Sequence, residues 1–390
     1  MSTQSEFTII GGGVAGLTAA IALQYLGREY HLFEQAKELK GIGAGFGLAA
    51  NAMQVLEFLH LRKEVEQIGY YLDSFAILDQ KGNKLVNPDT KMLSQKYDQK
   101  NFAIHRADLH FYLLSKINPK SLDIGKKAVR FEQQSEYIDV IFEDESVHRT
   151  KYLIISDGVK SPLRQQLLPA SKPRYSGYTC WRATIDNSEL KLNQGTETWG
   201  KKGRFGMTPL VNNRIYWYAC VNSSQNSTLF KDYKVEDLIY RFANYHDPIP
   251  SILSATKDQD LIWSDIIDIK PLKNFAYDNI LIIGDAAHAC TPNMGQGACQ
   301  ALEDVAVLAD ELQKSKTVKQ AFLSFERRRL ARTKYIIKTS KLIGDVAQWD
   351  NSFLISIRNN LMKIIPDRIN QQALLTLFKQ DFMTLNSNNS

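Results

Sequence analysis

The segment Gly11-Gly12-Gly13-Val14-Ala15-Gly16 constrains this chain more than any other feature. It follows an apolar run, Phe7-Thr8-Ile9-Ile10, and precedes a stretch of helical periodicity from Val14 to Leu26 that Gly27 closes. Tyr30 to Phe33 then reads as a second strand, ending at Glu34. A strand, a glycine turn, a helix and a parallel strand make a βαβ unit. In that setting Gly11 permits the tight turn, Gly13 lets backbone N–H groups approach a pyrophosphate, and Gly16 lets the helix pack on the strand. The N-terminus of the helix favours phosphate charge. Glu34 stands 21 residues after Gly13, close to the spacing of about 20 at which an acid accepts hydrogen bonds from an adenosine ribose. The pattern predicts a dinucleotide site, and an acid at this position disfavours a 2′-phosphate there.

Two later segments carry similar information. Asp157-Gly158-x-Lys160-Ser161-x-x-Arg164 follows a strand-like run, Tyr152–Ile155. Gly284-Asp285 follows Ile280–Ile283 and leads through Pro292 into Asn293-Met294-Gly295-Gln296-Gly297-Ala298. In the latter, a carboxylate at a strand end precedes a glycine-rich segment that opens a helix. The free N–H groups of such a helix suit an anionic partner.

Between these segments the pattern changes. Phe75–Leu78 and Lys84–Val86 flank Lys81-Gly82-Asn83 as a hairpin, and Tyr178 to Tyr218 reads as an antiparallel sheet rich in Thr, Trp, Tyr and Phe. From Gly297 to Phe382 the pattern is mostly helical. The expected fold is α/β: a Rossmann-type, doubly wound dinucleotide-binding domain interrupted by a mixed β-sheet substrate domain, with C-terminal helices. A length of 390 residues suits two intertwined domains. The expected boundaries are 1–74, 101–171 and 272–345 for the discontinuous cofactor domain, and 75–100 with 172–271 for the substrate domain. Residues 346–390 form a C-terminal helical region, with Asn386 to Ser390 read as disordered.

Composition narrows the partners. A net charge of +6 is mild, and the densest basic run, Arg327-Arg328-Arg329 with Arg332, reads as a solvated helix face. No nucleic acid is expected. The cysteines Cys180, Cys220, Cys290 and Cys299 lack CxxC spacing and read as reduced thiols, and no clustered His/Cys spacing suggests a metal. With no signal-peptide pattern and no apolar stretch of about 20 residues, a cytoplasmic protein without stable membrane insertion is expected. Phe353 to Ile365 is apolar and basic. It reads as a covering helix pair or dimer contact, with membrane-surface binding a minor alternative, and the protein as a monomer or homodimer.

The three glycine-containing motifs, in this order and spacing, resemble the group A flavoprotein monooxygenases of the p-hydroxybenzoate hydroxylase type, from Phe7 to at least Arg332. The run from Gly284-Asp285-Ala286-Ala287-His288 through Gly297 is most similar to salicylate hydroxylase, urate hydroxylase and zeaxanthin epoxidase relatives. His105-Arg106-Ala107-Asp108-Leu109 resembles the family's helix start. The resemblance implies FAD as cofactor, NADPH or NADH as transient reductant, and O2, which adds to reduced flavin as a C4a-hydroperoxide. Glu34 would then hold the adenosine ribose, Arg106 the phosphate and ribityl region, and Asp285 a ribityl hydroxyl. The backbone of Gly295, Gln296 and Gly297 would face the N1–C2 carbonyl edge of the flavin ring, and Pro292 and Ala298 belong to the same cofactor set. Asp157 belongs to the motif associated with the pyrophosphate and the pyridine nucleotide, and Gly11, Gly13, Ala15 and Gly16 complete the cofactor set. Two departures are small: Ile155-Ser156 replaces the usual Gly-Ala, and Ala50 stands where a proline usually precedes Asn51.

The same resemblance implies a hydroxylase of a small aromatic or heteroaromatic, anionic substrate. An epoxidase, a tetracycline-like drug hydroxylase, or a non-oxygenating flavin reductase or dehydrogenase stays open. Arg204 and Tyr216 lie where urate hydroxylase-like enzymes carry a substrate-contacting arginine and tyrosine, and with Pro292 they form the catalytic set. Trp181, Met207 and Tyr218 join Arg204 and Tyr216 as substrate candidates, against sheet-core packing as the alternative for Tyr216 and Trp181 and a solvated strand arginine for Arg204. Strand periodicity points Tyr216 and Tyr218 together, with Trp217 opposite. His288 reads as a structural histidine.

Overall fold

The strand Thr3–Ile10 lies inside the larger sheet, parallel to Val147–Ile155 on one side and to Tyr30–Glu34 on the other. The computed structural model describes residues 3–39, 45–72, 75–86, 101–366, 372 and 375–377. The expectations for 87–100 and for Asn386 to Ser390 fall outside them. The sheet has eight strands, and its path runs Ala276–Tyr277, Ile280–Ile282, Val147–Ile155, Thr3–Ile10, Tyr30–Glu34, Leu122–Ile124. Two antiparallel strands, Ile138–Phe142 and Ala128–Gln133, branch from Val147–Ile155. Parallel strands buried on both faces need continuous apolar runs. Phe7, Ile9, Leu153, Ile154, Ile155 and Ile280 to Ile282 provide them and are inaccessible to solvent.

The helix Val14–Tyr25 connects the first two strands and buries nine of its residues against that sheet and the helix Gly297–Lys314. A small sheet of Gly45–Leu48, Asn101–His105 and Gly69–Leu72 lies between this layer and the second large sheet.

The second sheet has seven strands in the order Ile262–Asp268, Arg174–Asp186, Arg214–Asn222, Gly203–Leu210, Gly195–Gly200, Phe75–Asp79, Lys84–Val86. All pairs are antiparallel except Gly195–Gly200 with Phe75–Asp79. One face is apolar: Trp181, Phe205, Met207 and Trp217 pack against Leu238 and Phe242 of Val235–Phe242 and Ile249 and Ile252 of Ile249–Ser254. The α/β expectation and the mixed second sheet hold.

The basic run is a correction. Arg329 is 2% exposed in the 30-residue helix Val318–Ala347. Its Nε donates to Asp304 at 2.7 Å and its Nη1 to Glu303 at 2.6 Å. Arg332, one helical turn on, also pairs with Glu303, and Arg328 pairs with Asp310 and Glu311. The reason is helical spacing: residues three apart share a face, and this face meets the acidic side of Gly297–Lys314. Among the described residues no helix is long and apolar enough to cross a membrane.

Candidate active site

Glycines in the first turn fall into two kinds. At Gly11 (φ +105°) a Cβ would stand 2.5 Å from the Ser156 carbonyl oxygen, and at Gly16 it would stand 1.9 Å from that of Gly11. The chain itself excludes a side chain there. At Gly13 a Cβ would meet nothing within 4 Å. Gly13 is also the N-cap of Val14–Tyr25, with no side-chain cap bond, so the first N–H groups of that helix are left for a ligand.

Glu34 is fixed beside this turn. Its Oε2 accepts from Gly12 N–H at 2.6 Å and its Oε1 from Ala36 N–H at 2.8 Å. A carboxylate has about four acceptor positions, so capacity for ribose hydroxyls remains. His110 Nε2 pairs with the Gly12 carbonyl at 2.7 Å. Arg106 is the exposed first residue of the helix Arg106–Leu114.

The second and third motifs meet through Arg164. This arginine is wholly buried and donates to Ala286 O at 3.1 Å, Val159 O at 2.8 Å and Ser171 Oγ at 3.1 Å. Burial pushes the nearby Asp157 carboxyl up to about 6. Gly284 (φ +60°) is needed because a Cβ would stand 2.7 Å from that of Ala15. That contact brings the first and third motifs together. Asp285 follows with its side chain exposed.

Pro292–Met294 forms a single turn, and Gly295 is left-handed at φ +61°. Neither Gly295 nor Gly297 would crowd a Cβ within 4 Å. Ala298 packs at the edge of the core. Gly297–Lys314 starts without a side-chain cap. Three glycines with open Cβ positions at two uncapped helix starts therefore make a cradle that fits a dinucleotide and the polar edge of its ring.

Beneath this cradle lies a network that sequence reasoning missed. Asn51, wholly buried, donates to Gln296 Oε1 at 3.0 Å and to Glu303 Oε1 at 2.5 Å, while its own Oδ1 has no partner among the described residues. The Gln296 Oε1 is thus engaged inward, accepting from Asn51 and Gln300. Burial pushes the Glu303 carboxyl up, but the Arg329 and Arg332 charges outweigh it and hold it at about 2. The one available signal was the matched spacing of Arg329 and Arg332 with the adjacent acids Glu303 and Asp304.

The substrate candidates divide between two faces. Tyr178, Cys180, Arg182, Arg204, Tyr216 and Tyr218 share the face turned toward the cofactor layer. Tyr178 Oη donates to Asn293 Oδ1 at 3.2 Å, and the Tyr216 ring covers Gly45, where a Cβ would be 2.8 Å away. The rings of Tyr216 and Tyr218 are 5.9 Å apart. Burial raises both phenols well above their ordinary range, so they remain neutral O–H donors.

Trp181 and Met207 do not join them. Trp181 stacks on Tyr233 at 5.5 Å, edge-on to Phe230 at 5.4 Å, and Met207 lies in the same core. Alternation along the strand sends each to the helix-covered face.

Arg204 faces the cofactor layer but is not solvated. It is 2% exposed, its Nη1 donates to Glu197 Oε1 at 3.0 Å and its Nε to Gln348 Oε1 at 2.7 Å. Its guanidinium lies 5.3 Å from the Tyr178 ring, and Nη2 is buried without a hydrogen bond. His288 is 3% exposed and pairs with Asp304.

Comparison with known proteins gives a consistent set. A family model described as an FAD binding domain matches residues 4–340. The chain is 32% identical over 375 residues to the aurachin C monooxygenase/isomerase of Stigmatella aurantiaca, covering 96% of this chain and 98% of that one. It is 27% identical over 376 residues to the 2-heptyl-3-hydroxy-4(1H)-quinolone synthase of Pseudomonas aeruginosa, covering 95% and 97%. Among solved structures, Klebsiella pneumoniae HpxO complexed with FAD and uric acid superposes with a TM-score of 0.87 at 25% identity, covering 95% of this chain and 96% of that one.

Proposed function

This chain belongs to the FAD-binding domain family, among its flavoprotein monooxygenases, and from that premise we propose that it hydroxylates a heteroaromatic ring of the quinolone type. The observation that carries the reading is the pairing of two surfaces. An open glycine cradle at Gly13, Gly295 and Gly297 lies on one side, and an aromatic face with Tyr216 and Tyr218 lies on the other. The names of the relatives support the ring class, one being a synthase of a 3-hydroxylated 4-quinolone with a heptyl chain.

The chemistry supplied by bound FAD is acceptance of a hydride from NADH or NADPH and activation of O2, one atom of which enters the substrate while the other leaves as water. The chain's own residues bind, orient and shield. Glu34 and the first helix start would hold the adenosine and pyrophosphate end, Asp285 a ribityl hydroxyl, and Arg106 the phosphate side. Backbone N–H groups from Gly295 to Ala298 would meet negative charge on the ring edge, with Pro292 against the ring. Tyr216 and Tyr218, their rings inclined at 34°, offer an aromatic wall and two phenolic donors, and Arg204 Nη2 a further one. The contacts Tyr178–Asn293 and Tyr216–Gly45 help to close the space against water. On this reading, segments 1–74, 101–171 and 272–345 form the cofactor part, and 75–100 with 172–271 the substrate part, with 346–390 as a C-terminal region. The distribution of strands between the two large sheets supports that division.

The test is anaerobic reduction of the FAD-loaded protein by NADH or NADPH with a panel of quinolones, aromatic acids and purines, followed by O2. Ligand-stimulated reduction and an oxygenated product are expected. Reduction with no oxygenated product from any ligand would replace the monooxygenase by a reductase or dehydrogenase.

A further inference from the structure

Cys180 and Cys220 face each other across the second sheet. They are direct partners in the antiparallel pairing of Arg174–Asp186 with Arg214–Asn222, and both residues are buried. Residues opposed in such a ladder have Cα atoms about 4.5 or 5.5 Å apart. Both spacings fall inside the range of about 4.4–6.8 Å that a disulfide spans. The two thiols are free and hydrogen-bonded to each other, so a bridge between them needs little movement of the backbone.

Their surroundings tell the two apart. Cys180 stands two residues from Tyr178 and Arg182, and Cys220 two residues from Tyr218, so both lie on the face turned toward the cofactor layer. Arg182 hydrogen-bonds to Cys180, and the Arg204 charge acts on both thiols. Burial pushes the Cys180 thiol up, but the Cys220 hydrogen bond and the Arg182 and Arg204 charges outweigh it and bring it down to about 6. When protonated, Cys180 donates to the Trp181 carbonyl oxygen at 3.4 Å. Cys220 is raised, by its hydrogen bond to Cys180 first and by burial second. Cys290 and Cys299 are also raised, chiefly by burial, Cys299 to about 12. The thiolate is the nucleophilic form of cysteine, so of the four Cys180 is the one prepared to react.

We propose that Cys180 and Cys220 form a dithiol that hydrogen peroxide converts to a disulfide, Cys180 attacking and Cys220 resolving. The Cys180 sulfur attacks one peroxide oxygen and the O–O bond breaks. The departing hydroxide takes up the proton that Cys180 has given up and leaves as water. The Cys220 sulfur then displaces the hydroxyl from the Cys180 sulfenic acid, and the Cys220 proton leaves with it as a second water. The two thiols lose two electrons in all and the peroxide gains them. Reduced flavin that meets O2 without transferring an oxygen atom releases hydrogen peroxide. On the monooxygenase reading the pair therefore faces the source of its oxidant, while added peroxide tests the pair independently of that reading. Burial keeps bulky reagents away, but peroxide is hardly larger than water.

The test treats full-length, FAD-loaded protein with a small excess of hydrogen peroxide, then unfolds it, alkylates the remaining thiols and maps the peptides. Four free thiols fall to two, a linked pair of peptides carrying Cys180 and Cys220 appears, and dithiothreitol restores all four. FAD content is unchanged. Cys220→Ser stops at a Cys180 sulfenic acid that dimedone traps, and Cys180→Ser keeps its remaining thiols at the same dose. Arg182→Met slows disulfide formation several-fold, because less of the Cys180 sulfur is thiolate. If either serine variant fails to fold, the peptide map of the parent protein decides. Four thiols retained in excess peroxide, loss of Cys290 or Cys299 as fast as Cys180, or Cys180 sulfinic acid with Cys220 untouched would each overturn the proposal.

Discussion

His288 Nε2 lies 2.6 Å from the Asp304 carboxylate, with both residues buried. The same Oδ2 accepts the Gly284 N–H at 2.7 Å, while Oδ1 accepts from Arg329 Nε. One carboxylate on Gly297–Lys314 thus ties the Gly284 turn, the short helix after it and the long C-terminal helix into one piece. This engagement makes His288 a brace for the cofactor turn, in keeping with the sequence reading of it as structural.

Arg329→Met leaves Glu303 and Asp304 buried without their shared cation. Breaking a buried pair from one side costs about 3–5 kcal/mol, so the urea midpoint falls sharply. Arg327→Ala, at an exposed position of the same run, changes stability by less than about 0.5 kcal/mol. Similar small effects at both positions would return the run to a solvated face.

Acid should act on the same network. The Glu303 carboxyl is held near about 2, below its ordinary 4.5, chiefly by Arg329 and Arg332 against the opposing effect of burial. A depressed carboxylate contributes stability that is complete above its unfolded value and is lost as pH falls through the folded one. Thermal midpoints should therefore decline between about pH 4.5 and 2. Glu303→Gln should be less stable at neutral pH and show a shallower decline over that window. An unchanged slope in Glu303→Gln would assign acid loss to other groups.

The two kinds of glycine predict two outcomes. Gly16→Ala drives a Cβ to within 1.9 Å of the Gly11 carbonyl oxygen and should destabilise the protein with or without FAD. Gly13→Ala and Gly297→Ala meet no atom of the chain within 4 Å. They should leave the apoprotein midpoint unchanged and weaken FAD binding. Apoprotein melting and FAD titration of the three variants separate these cases.

Asp285→Ala should lower FAD occupancy sharply with little effect on apoprotein stability, because the side chain is exposed. Flavin content after purification measures it. Full retention would remove Asp285 from the ribityl role.

Arg204→Ala should raise the substrate KM while FAD stays bound. The structure adds a stability loss of about 3–5 kcal/mol, since Glu197 is left buried without its partner. Adding Glu197→Gln should recover part of the midpoint and none of the KM. An unchanged KM would make Arg204 a sheet-core residue only.

The sequence by itself determined the parts governed by local spacing. Gly11, Gly13 and Gly16 with Glu34 specified a strand–turn–helix–strand start, because turn geometry and helix periodicity act over a few residues. The hairpin at Phe75 to Val86 and the opposite directions of Tyr216 and Trp217 were legible for the same reason. Tertiary structure decided what depends on residues distant in the chain. Alternation says that Trp181 and Arg182 point apart, but only pairing with the strand Arg214–Asn222 and coverage by Val235–Phe242 decide which face is core. Arg329 looked solvated until a second helix brought Glu303 and Asp304 against it, and Arg204, open in the sequence between a substrate contact and a solvated strand position, is buried because Glu197 pairs with it across the sheet. Charge in a sequence has a sign and a spacing; whether it is solvated or buried and paired depends on the elements packed around it.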